Sequence, residues 1–224
     1  MPRTASTKYQ SALGTKNKAT KSNNDNPPKR QKTERHGWAD ALLKFLDDPT
    51  DPAVVYYDDD FIAIKDKYPK AKCHYLVMPR DRSFKSLKDL TTDDVGMLKD
   101  MERVANYLVN TNNENGDPNL VFRYGFHAVP SMNHLHLHVI SQDFDSPHLK
   151  NKKHWNSFTT TFFVPLDEVL IGCMKDQVDF SYRANRLQNG LKCHRCCKVQ
   201  SNMPQLKQHI SCCVYDPTPK EGYF

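Results

Sequence analysis

Apolar and polar residues alternate most regularly over residues 134–140, which read His-Leu-His-Leu-His-Val-Ile. A period of two is typical of a β-strand, and it places His134, His136 and His138 on one face and the aliphatic residues between them on the other. Imidazole rings that are partly buried need hydrogen-bonding partners. The pattern therefore predicts a strand with one apolar face turned to the core and one face of histidines available for chemistry.

Shorter apolar runs elsewhere in the chain predict further strands and two helices, which together indicate an α+β fold. Runs rich in β-branched and aromatic residues indicate strands at residues 54–57, 61–64, 73–79 and 120–126. Apolar residues at helical spacing predict a short amphipathic helix over residues 38–46 and a longer helix over residues 92–110. The histidine strand follows soon after the last of the other strands.

The histidine face could serve a metal, a phosphate or neither. Alternate residues on a strand lie roughly 7 Å apart, and no carboxylate nearby is placed as an obvious further metal ligand. A phosphate suits the pattern, because one histidine can attack phosphorus while its neighbours hydrogen-bond the non-bridging oxygens. His127 and Ser131, just upstream, add polar groups near the same end of the strand. A solvated histidine-rich strand is the remaining alternative, and these upstream groups disfavour it.

The alternating histidines resemble the histidine triad (HIT) motif of nucleotide hydrolases and transferases. The longer segment over residues 125–158 is similar to the aprataxin family of DNA-adenylate hydrolases, and the resemblance covers about residues 37–213. It implies an HIT-like antiparallel sheet with flanking helices and a small C-terminal zinc finger. It also implies a DNA repair hydrolase that removes AMP from 5′-adenylated ends, nicks and RNA–DNA junctions left by abortive ligation. The products would be AMP and a restored 5′-phosphate.

The resemblance implies a role for each polar group of the histidine segment. His136, the middle histidine, would be the nucleophile of an adenylyl-histidine intermediate that water then hydrolyses. Its second ring nitrogen should donate to a fixed acceptor, because the attacking nitrogen must be unprotonated. His138 and Ser131 would hold the non-bridging oxygens. His134 would orient the site, and His127 would contact the leaving phosphate and give it a proton. We expect no catalytic metal.

Residues outside the histidine segment are implied to bind the nucleotide and the DNA. Asp66 would accept hydrogen bonds from the ribose hydroxyls. Three residues are candidates to line the adenine pocket, although core packing would explain them equally well: Phe61, Ile62 and Ile64. Trp38 would offer its ring to a terminal base. The implied DNA contacts are Lys67, Lys150, Lys152, His154 and Ser157, while Trp155 would pack to hold this segment in place.

Five of the seven cysteines fall within residues 193–213, and four residues there have the spacing of a zinc finger. The pattern Cys193-x2-Cys196-x12-His209-x3-Cys213 is that of a C2H2 finger with the last histidine replaced by cysteine. We expect one structural Zn²⁺ ion on these four ligands. Cys212 remains an alternative fourth ligand, although the spacing of four residues on a helix favours Cys213.

Composition and charge divide the chain into four predicted parts. Nine Lys/Arg against two Asp/Glu over residues 1–36, with few apolar side chains, predict a disordered basic tail over residues 1–35. The parts that follow are a catalytic domain over residues 36–165, a helical connection over residues 166–190 and a zinc-finger DNA-binding module over residues 191–224. Pro-Pro-Lys-Arg-Gln-Lys at residues 27–32 resembles a nuclear-import signal. We therefore expect a nuclear protein with a cytoplasmic fraction.

Several expectations concern what the chain lacks. No apolar run approaches the roughly 20 residues of a membrane span, and no signal peptide is evident. We expect a soluble intracellular monomer. The chain has no room ahead of the catalytic domain for the forkhead-associated domain that some aprataxins carry, so the resemblance is to the fungal-type form.

Two other functions share parts of this sequence. An HIT hydrolase of dinucleoside polyphosphates or adenylyl amides would use the same triad, but it gives no reason for the zinc finger. A noncatalytic zinc-finger adaptor that binds DNA ends would need the finger alone. The intact Ser131, His136 and His138 argue against the adaptor.

Overall fold

A computed structural model describes residues 37–214 of the chain, with the side chain of Trp38 excepted. The basic tail and the import motif predicted within residues 1–35 lie outside the described residues. So do residues 215–224, the end of the predicted C-terminal module.

An antiparallel sheet forms the centre of the described chain, and the predicted fold class is confirmed. Its six strands are β1 (Val54–Tyr57), β2 (Phe61–Lys65), β3 (His74–Pro79), β4 (Phe122–His127), β5 (Leu137–Ser141) and β6 (Phe163–Pro165). They lie in the order β1-β2-β3-β5-β4-β6, and each adjacent pair is antiparallel. The histidine-bearing strand β5 is therefore central, with a neighbour on each side.

Five α-helices and several 3₁₀ turns flank the sheet within residues 37–214. The α-helices are α1 (Leu43–Asp47), α2 (Val95–Asn115), α3 (Lys152–Thr159), α4 (Leu166–Met174) and α5 (Met203–Cys212). The longer 3₁₀ helix is Ser181–Gln188, and the short ones are Trp38–Asp40, Leu87–Asp89 and Thr92–Asp94. The single helix predicted over residues 38–46 is thus a 3₁₀ turn followed by α1.

Two element boundaries differ from the sequence pattern for identifiable reasons. The 3₁₀ turn before α2 is closed by a capping box between Thr91 and Asp94, so the α-helix itself begins three residues later than predicted. The histidine strand begins only at Leu137. His134 has a φ of 76°, in the left-handed region, which interrupts the extended backbone. His134 and His136 therefore precede the strand on which the alternation had placed them.

Because side chains alternate along the strands, each face of the sheet packs in a different buried cluster. Phe61 and Ala63 point to the face covered by α2 and α4, where they join the largest buried cluster. Ile62 and Ile64 point to the opposite face, which packs against the buried leucines and phenylalanine around α1. Helix α4 lies within the connection predicted over residues 166–190, and its Val169 is buried in the larger cluster. Helix α4 therefore packs against the core of the catalytic domain.

Candidate active site

A cleft of about 1060 Å³ opens on the α1 side of the sheet. His136 and His138 line it together with His127 from β4, so the structure brings these three predicted catalytic residues into one site. Ser131 and Asp66 also line the cleft. All three histidine rings lie in contact, with ring centres 4.3 Å apart for His127 and His138 and 4.9 Å apart for His136 and His138.

The His136 ring is held in one orientation by the main chain. Its Nδ1 lies 2.8 Å from the carbonyl oxygen of His134. A carbonyl can only accept, so Nδ1 carries the proton and Nε2 keeps its lone pair. Burial lowers the pKa of His136, and the neutral ring is favoured. The ring thus presents an unprotonated nitrogen, with its other nitrogen donating to a fixed acceptor as expected.

A chain of hydrogen bonds from His74 sets the opposite tautomer on His138. The backbone N–H of Lys70 donates to Nδ1 of His74 at 3.3 Å, which leaves the proton on His74 Nε2. That Nε2 donates to Nδ1 of His138 at 3.0 Å. The proton of neutral His138 is therefore on Nε2, a buried atom with no hydrogen-bond partner. His138 holds a donor ready for an incoming acceptor.

The Asp66 carboxylate lies at the far end of this chain, beside His74. The Oδ2 of Asp66 lies 3.4 Å from Nδ1 of His74, and its Oδ1 accepts from the Tyr68 backbone N–H. Burial lowers the pKa of His74 to about 4 despite the nearby carboxylate. For His138, burial and the neighbouring His127 hold the pKa well below its usual value. The histidine cluster is thus neutral at physiological pH.

His127 sits in an apolar setting at the edge of the cluster. Its ring packs against Phe158, with centres 4.7 Å apart, and against Phe162 at 5.3 Å. Its Nε2 is buried without a hydrogen-bond partner, and burial holds the pKa of His127 well below its usual value. Two neighbouring rings, with centres 4.3 Å apart, thus each carry a buried nitrogen without a hydrogen-bond partner.

His134 acts on the site through its backbone. Its ring does not line the cleft; instead Nε2 donates to the Pro79 carbonyl at 2.6 Å. The left-handed backbone at His134 places its carbonyl against Nδ1 of His136. The predicted orienting role is compatible with this geometry, through a main-chain oxygen.

Of the three residues predicted to line the adenine pocket, the structure places one at the cleft. Ile64 lines the cleft with Leu42, Phe45 and Leu76, which form an apolar wall beside Asp66. Phe61 does not, because it occupies the alternate position on β2 and packs in the core beneath α2. Ile62 lies on the correct face but is buried behind the wall and does not reach the cleft.

Four of the five residues predicted as DNA contacts beyond Trp38 lie at the cleft. Lys67, Lys150, His154 and Ser157 line the cleft. Lys152 does not, because its Nζ donates to the Gln188 carbonyl on another side of α3. The side chain of Trp38 lies outside the described part of the chain, so its predicted contact stays a prediction. Trp155 is packed as expected, with 1% of its surface exposed.

Besides the apolar wall, the sequence interpretation missed residues that bear on the chemistry of the site, among them Lys70, His74 and Lys153. Lys70 and Lys153 line the cleft, and burial lowers the pKa of Lys70. His74 supports His138 from β3. A signal existed for His74 alone, since a histidine at the start of an otherwise apolar strand needs a buried partner.

The C-terminal module brings together the four predicted zinc ligands. Atoms of Cys193, Cys196, His209 and Cys213 lie within 4.8 Å of one another. The Cys193 and Cys213 sulfurs are 3.9 Å apart, and the Cys196 sulfur is 3.1 Å from Nε2 of His209. Tetrahedral zinc with Zn–S near 2.3 Å separates two sulfurs by about 3.8 Å, so the donors fit the ion. The Cys212 thiol instead donates to main-chain carbonyls of α5.

The antiparallel fold and the histidine-lined cleft define a histidine triad protein with a C-terminal finger. The family described as "Scavenger mRNA decapping enzyme C-term binding" matches residues 40–154, just over half of the chain, and a "C2HE / C2H2 / C2HC zinc-binding finger" matches residues 159–214. An aprataxin from Danio rerio is 48% identical over 183 residues, which are 80% of this chain and 55% of that protein. An aprataxin-like protein from Saccharomyces cerevisiae is 31% identical over 205 residues, covering 77% of this chain and 94% of that protein.

A solved structure agrees with these relatives. The crystal structure of the aprataxin ortholog Hnt3 in complex with DNA superposes with a TM-score of 0.67 at 29% identity, covering 78% of this chain and 94% of that one. The chain belongs to the aprataxin family. It spans about half the length of the animal aprataxins that it matches. No helix within residues 37–214 combines the length and the apolar character that crossing a membrane requires.

Proposed function

We propose that this protein is a hydrolase that removes AMP from 5′-adenylated DNA, including adenylated RNA–DNA junctions, through an adenylyl-histidine intermediate. The observation that carries the proposal is the His136 ring, whose Nδ1 is fixed by a carbonyl at 2.8 Å while its free nitrogen faces a cleft. A neutral, oriented imidazole among unsatisfied donors is suited to attack on an activated phosphorus.

The first step would exchange one bond to phosphorus for another. Nε2 of His136 attacks the adenylate phosphorus, the P–Nε2 bond forms, and the bond to the oxygen of the DNA 5′-phosphate breaks. The electron pair leaves on that oxygen, and neutral His127, whose buried Nε2 has no partner in the free site, would contact the leaving phosphate through a hydrogen bond. Nε2 of His138 and the Ser131 hydroxyl would donate to the non-bridging oxygens as their charge redistributes. Water then attacks the same phosphorus and gives up a proton to the solvent, the P–Nε2 bond breaks with its electron pair on Nε2, and AMP leaves with neutral His136 restored.

The surroundings of the histidines support the proposed substrate class. The apolar wall of Leu42, Phe45, Ile64 and Leu76 offers a purine-sized surface next to Asp66, an acceptor for the ribose hydroxyls. Lys67, Lys150 and Lys153 line the same cleft, as a polyanion requires. The relative Hnt3 has been solved in complex with DNA and guanosine, and this supports DNA as the substrate. A dinucleoside polyphosphate is also negatively charged, but this alternative does not explain the zinc finger that shares a hydrophobic core with the catalytic part of the chain.

A radiolabelled adenylated nick tests the proposal. His136→Ala should lower AMP release by about 10³-fold or more, while DNA affinity stays within about threefold, because the change removes the nucleophile and no DNA contact. A base-quenched reaction of the unaltered protein should carry label on His136, as an acid-labile and alkali-stable P–N bond. Asn133→Ala, an exposed neighbour on the same segment, is the matched control and should release AMP normally. AMP release by His136→Ala at a rate close to that of the unaltered protein, or label on another residue, would refute the mechanism.

We also propose nuclear localisation, supported by the basic motif at residues 27–32. Replacing its basic residues with alanine should shift a tagged protein towards the cytoplasm. An unchanged distribution would contradict the proposal.

A further inference from the structure

The finger and the catalytic part of the chain share one hydrophobic core. Its buried members from the catalytic side are Ala71, Ile140, Phe144, Leu149, Trp155, Phe158 and Phe163, and those from the finger are Leu191, Cys193, Leu206 and Ile210. Cys193, one of the four candidate zinc ligands, is itself fully buried in this core. The finger therefore cannot rearrange without disturbing the side chains packed against it.

Side-chain hydrogen bonds also join the same two parts, and residues from Trp155 to Lys207 contribute them. Trp155 donates from Nε1 to the carbonyl of Lys192 at 2.9 Å, directly before Cys193. Lys207, on the finger helix α5, donates to the Ser146 carbonyl at 2.8 Å. Arg195 donates to two finger carbonyls and to the Gln142 carbonyl after β5. Both the loop after β5 and helix α3 are thus fixed to the finger.

Phe158 connects this shared core to the cleft. It lies one turn along α3 from Trp155 and is 3% exposed. Its ring centre is 4.7 Å from that of His127 and 5.2 Å from those of both His74 and His138. One phenylalanine therefore contacts three imidazoles of the site from the finger side.

We propose that the zinc-loaded finger positions the histidines of the cleft, with Trp155 and Phe158 as positioning residues that connect them. This role is additional to the DNA binding predicted for the finger. Only its kinetic test rests on the proposed hydrolase activity. Zinc supplies the folding free energy of such a finger when bound. Without it, the packing around Cys193 loosens, α3 loses its anchor at Lys192, and Phe158 no longer fixes the His74–His138 pair.

The kinetic test uses adenosine 5′-phosphoramidate, a substrate too small to reach the finger. Removing zinc with a chelator should lower kcat on this compound by about tenfold or more and leave KM within about threefold, because orientation of the histidines is lost and nucleotide contacts are not. Added Zn²⁺ should restore kcat. If kcat stays within about twofold while affinity for an adenylated nick falls, the finger serves DNA binding alone and the inference is wrong.

The second readout needs no activity. In protein labelled with ¹⁵N-histidine, the hydrogen-bonded ring protons between His74 and His138 and on His136 Nδ1 should be observable with zinc and lost without it. If the zinc-loaded protein hydrolyses neither substrate, the proposed function fails, and these signals still decide the inference. Ring protons that persist unchanged after zinc removal would overturn it.

Variants that keep zinc separate positioning from unfolding. Trp155→Ala should lower kcat on the phosphoramidate and shift the acid limb of its pH profile, while Trp155→Phe should recover most of the loss because a ring remains to pack against Phe144. Gln205→Ala, an exposed position on the same finger helix, is the matched control and should behave as the unaltered protein. Equal, pH-independent losses in both Trp155 variants would contradict a positioning role.

Discussion

His74 should make the stability of this protein fall as the pH is lowered. Its folded-state pKa is about 4, below the ordinary value of 6.5, because burial disfavours the charged ring. The unfolded chain then binds more protons than the folded one between these two values, so stability is fully present above about pH 6.5 and is lost towards pH 4. Between about pH 7.5 and pH 5 the shift corresponds to a loss of about 2 kcal/mol from this residue.

The perturbation that isolates this effect is His74→Gln, which removes the titrating group and keeps a polar side chain facing His138. Urea unfolding of both proteins at the two pH values gives four free energies of unfolding. The free energy of unfolding should fall on acidification by about 2 kcal/mol less in the variant than in the unaltered protein. This corresponds to a shift of the urea midpoint between the two pH values that is about 1 M smaller. Acid release of zinc affects both proteins alike and cancels in the comparison.

Val77→Ala supplies the control for lost packing. Val77 is buried on the same strand and carries no titratable group, so its variant should be less stable at both pH values with an unchanged difference between them. An identical acid loss in His74→Gln and the unaltered protein would refute the reasoning, because it would mean that His74 is not held neutral in the folded state.

Two further predictions concern corrected or open assignments. Ile64→Ala should raise KM for the adenylated substrate with little change in kcat, because Ile64 reaches the cleft. Phe61→Ala should lower the free energy of unfolding by about 3–5 kcal/mol without a change in KM, because Phe61 lies in the core. Steady-state kinetics and urea unfolding check both variants, and a raised KM in Phe61→Ala would contradict the assignment. Cys213→Ser should lose its zinc while Cys212→Ser retains it, because of these two cysteines only Cys213 belongs to the cluster of four donors. Elemental analysis measures the zinc content, and zinc retained by Cys213→Ser would show that the ligand set is different.

Local patterns in the sequence predicted the parts of the site that depend on local geometry. The zinc-ligand spacing determines which atoms meet, because a turn, one helix and the residue directly after that helix carry all four donors. The apolar side of the histidine segment was predictable for the same reason, and Leu137 and Val139 are buried as expected. The departure at His134 has no pattern of its own, since a left-handed histidine looks like any other residue in the chain.

Long-range pairing determines the rest, and the sequence does not encode it in a readable form. His74 meets His138 because β3 pairs with β5 in a register that places Leu76 opposite His138. Which face of β2 borders the cleft depends on the helix that covers it, so Phe61 and Ile64 could not be distinguished by hydrophobicity. Register and helix placement are properties of the assembled sheet.

Three chemically identical rings in this cleft differ because their unreactive nitrogens have different partners. A carbonyl accepts from His136 and leaves a lone pair facing the cleft, whereas a neighbouring imidazole donates to His138 and leaves a proton there. His127 has aromatic neighbours at its ring, and burial keeps it neutral. A nucleophile and a donor can therefore stand side by side at one pH without opposite charges, which would be costly in a buried site. The roles proposed for these three histidines depend on these partners staying in place.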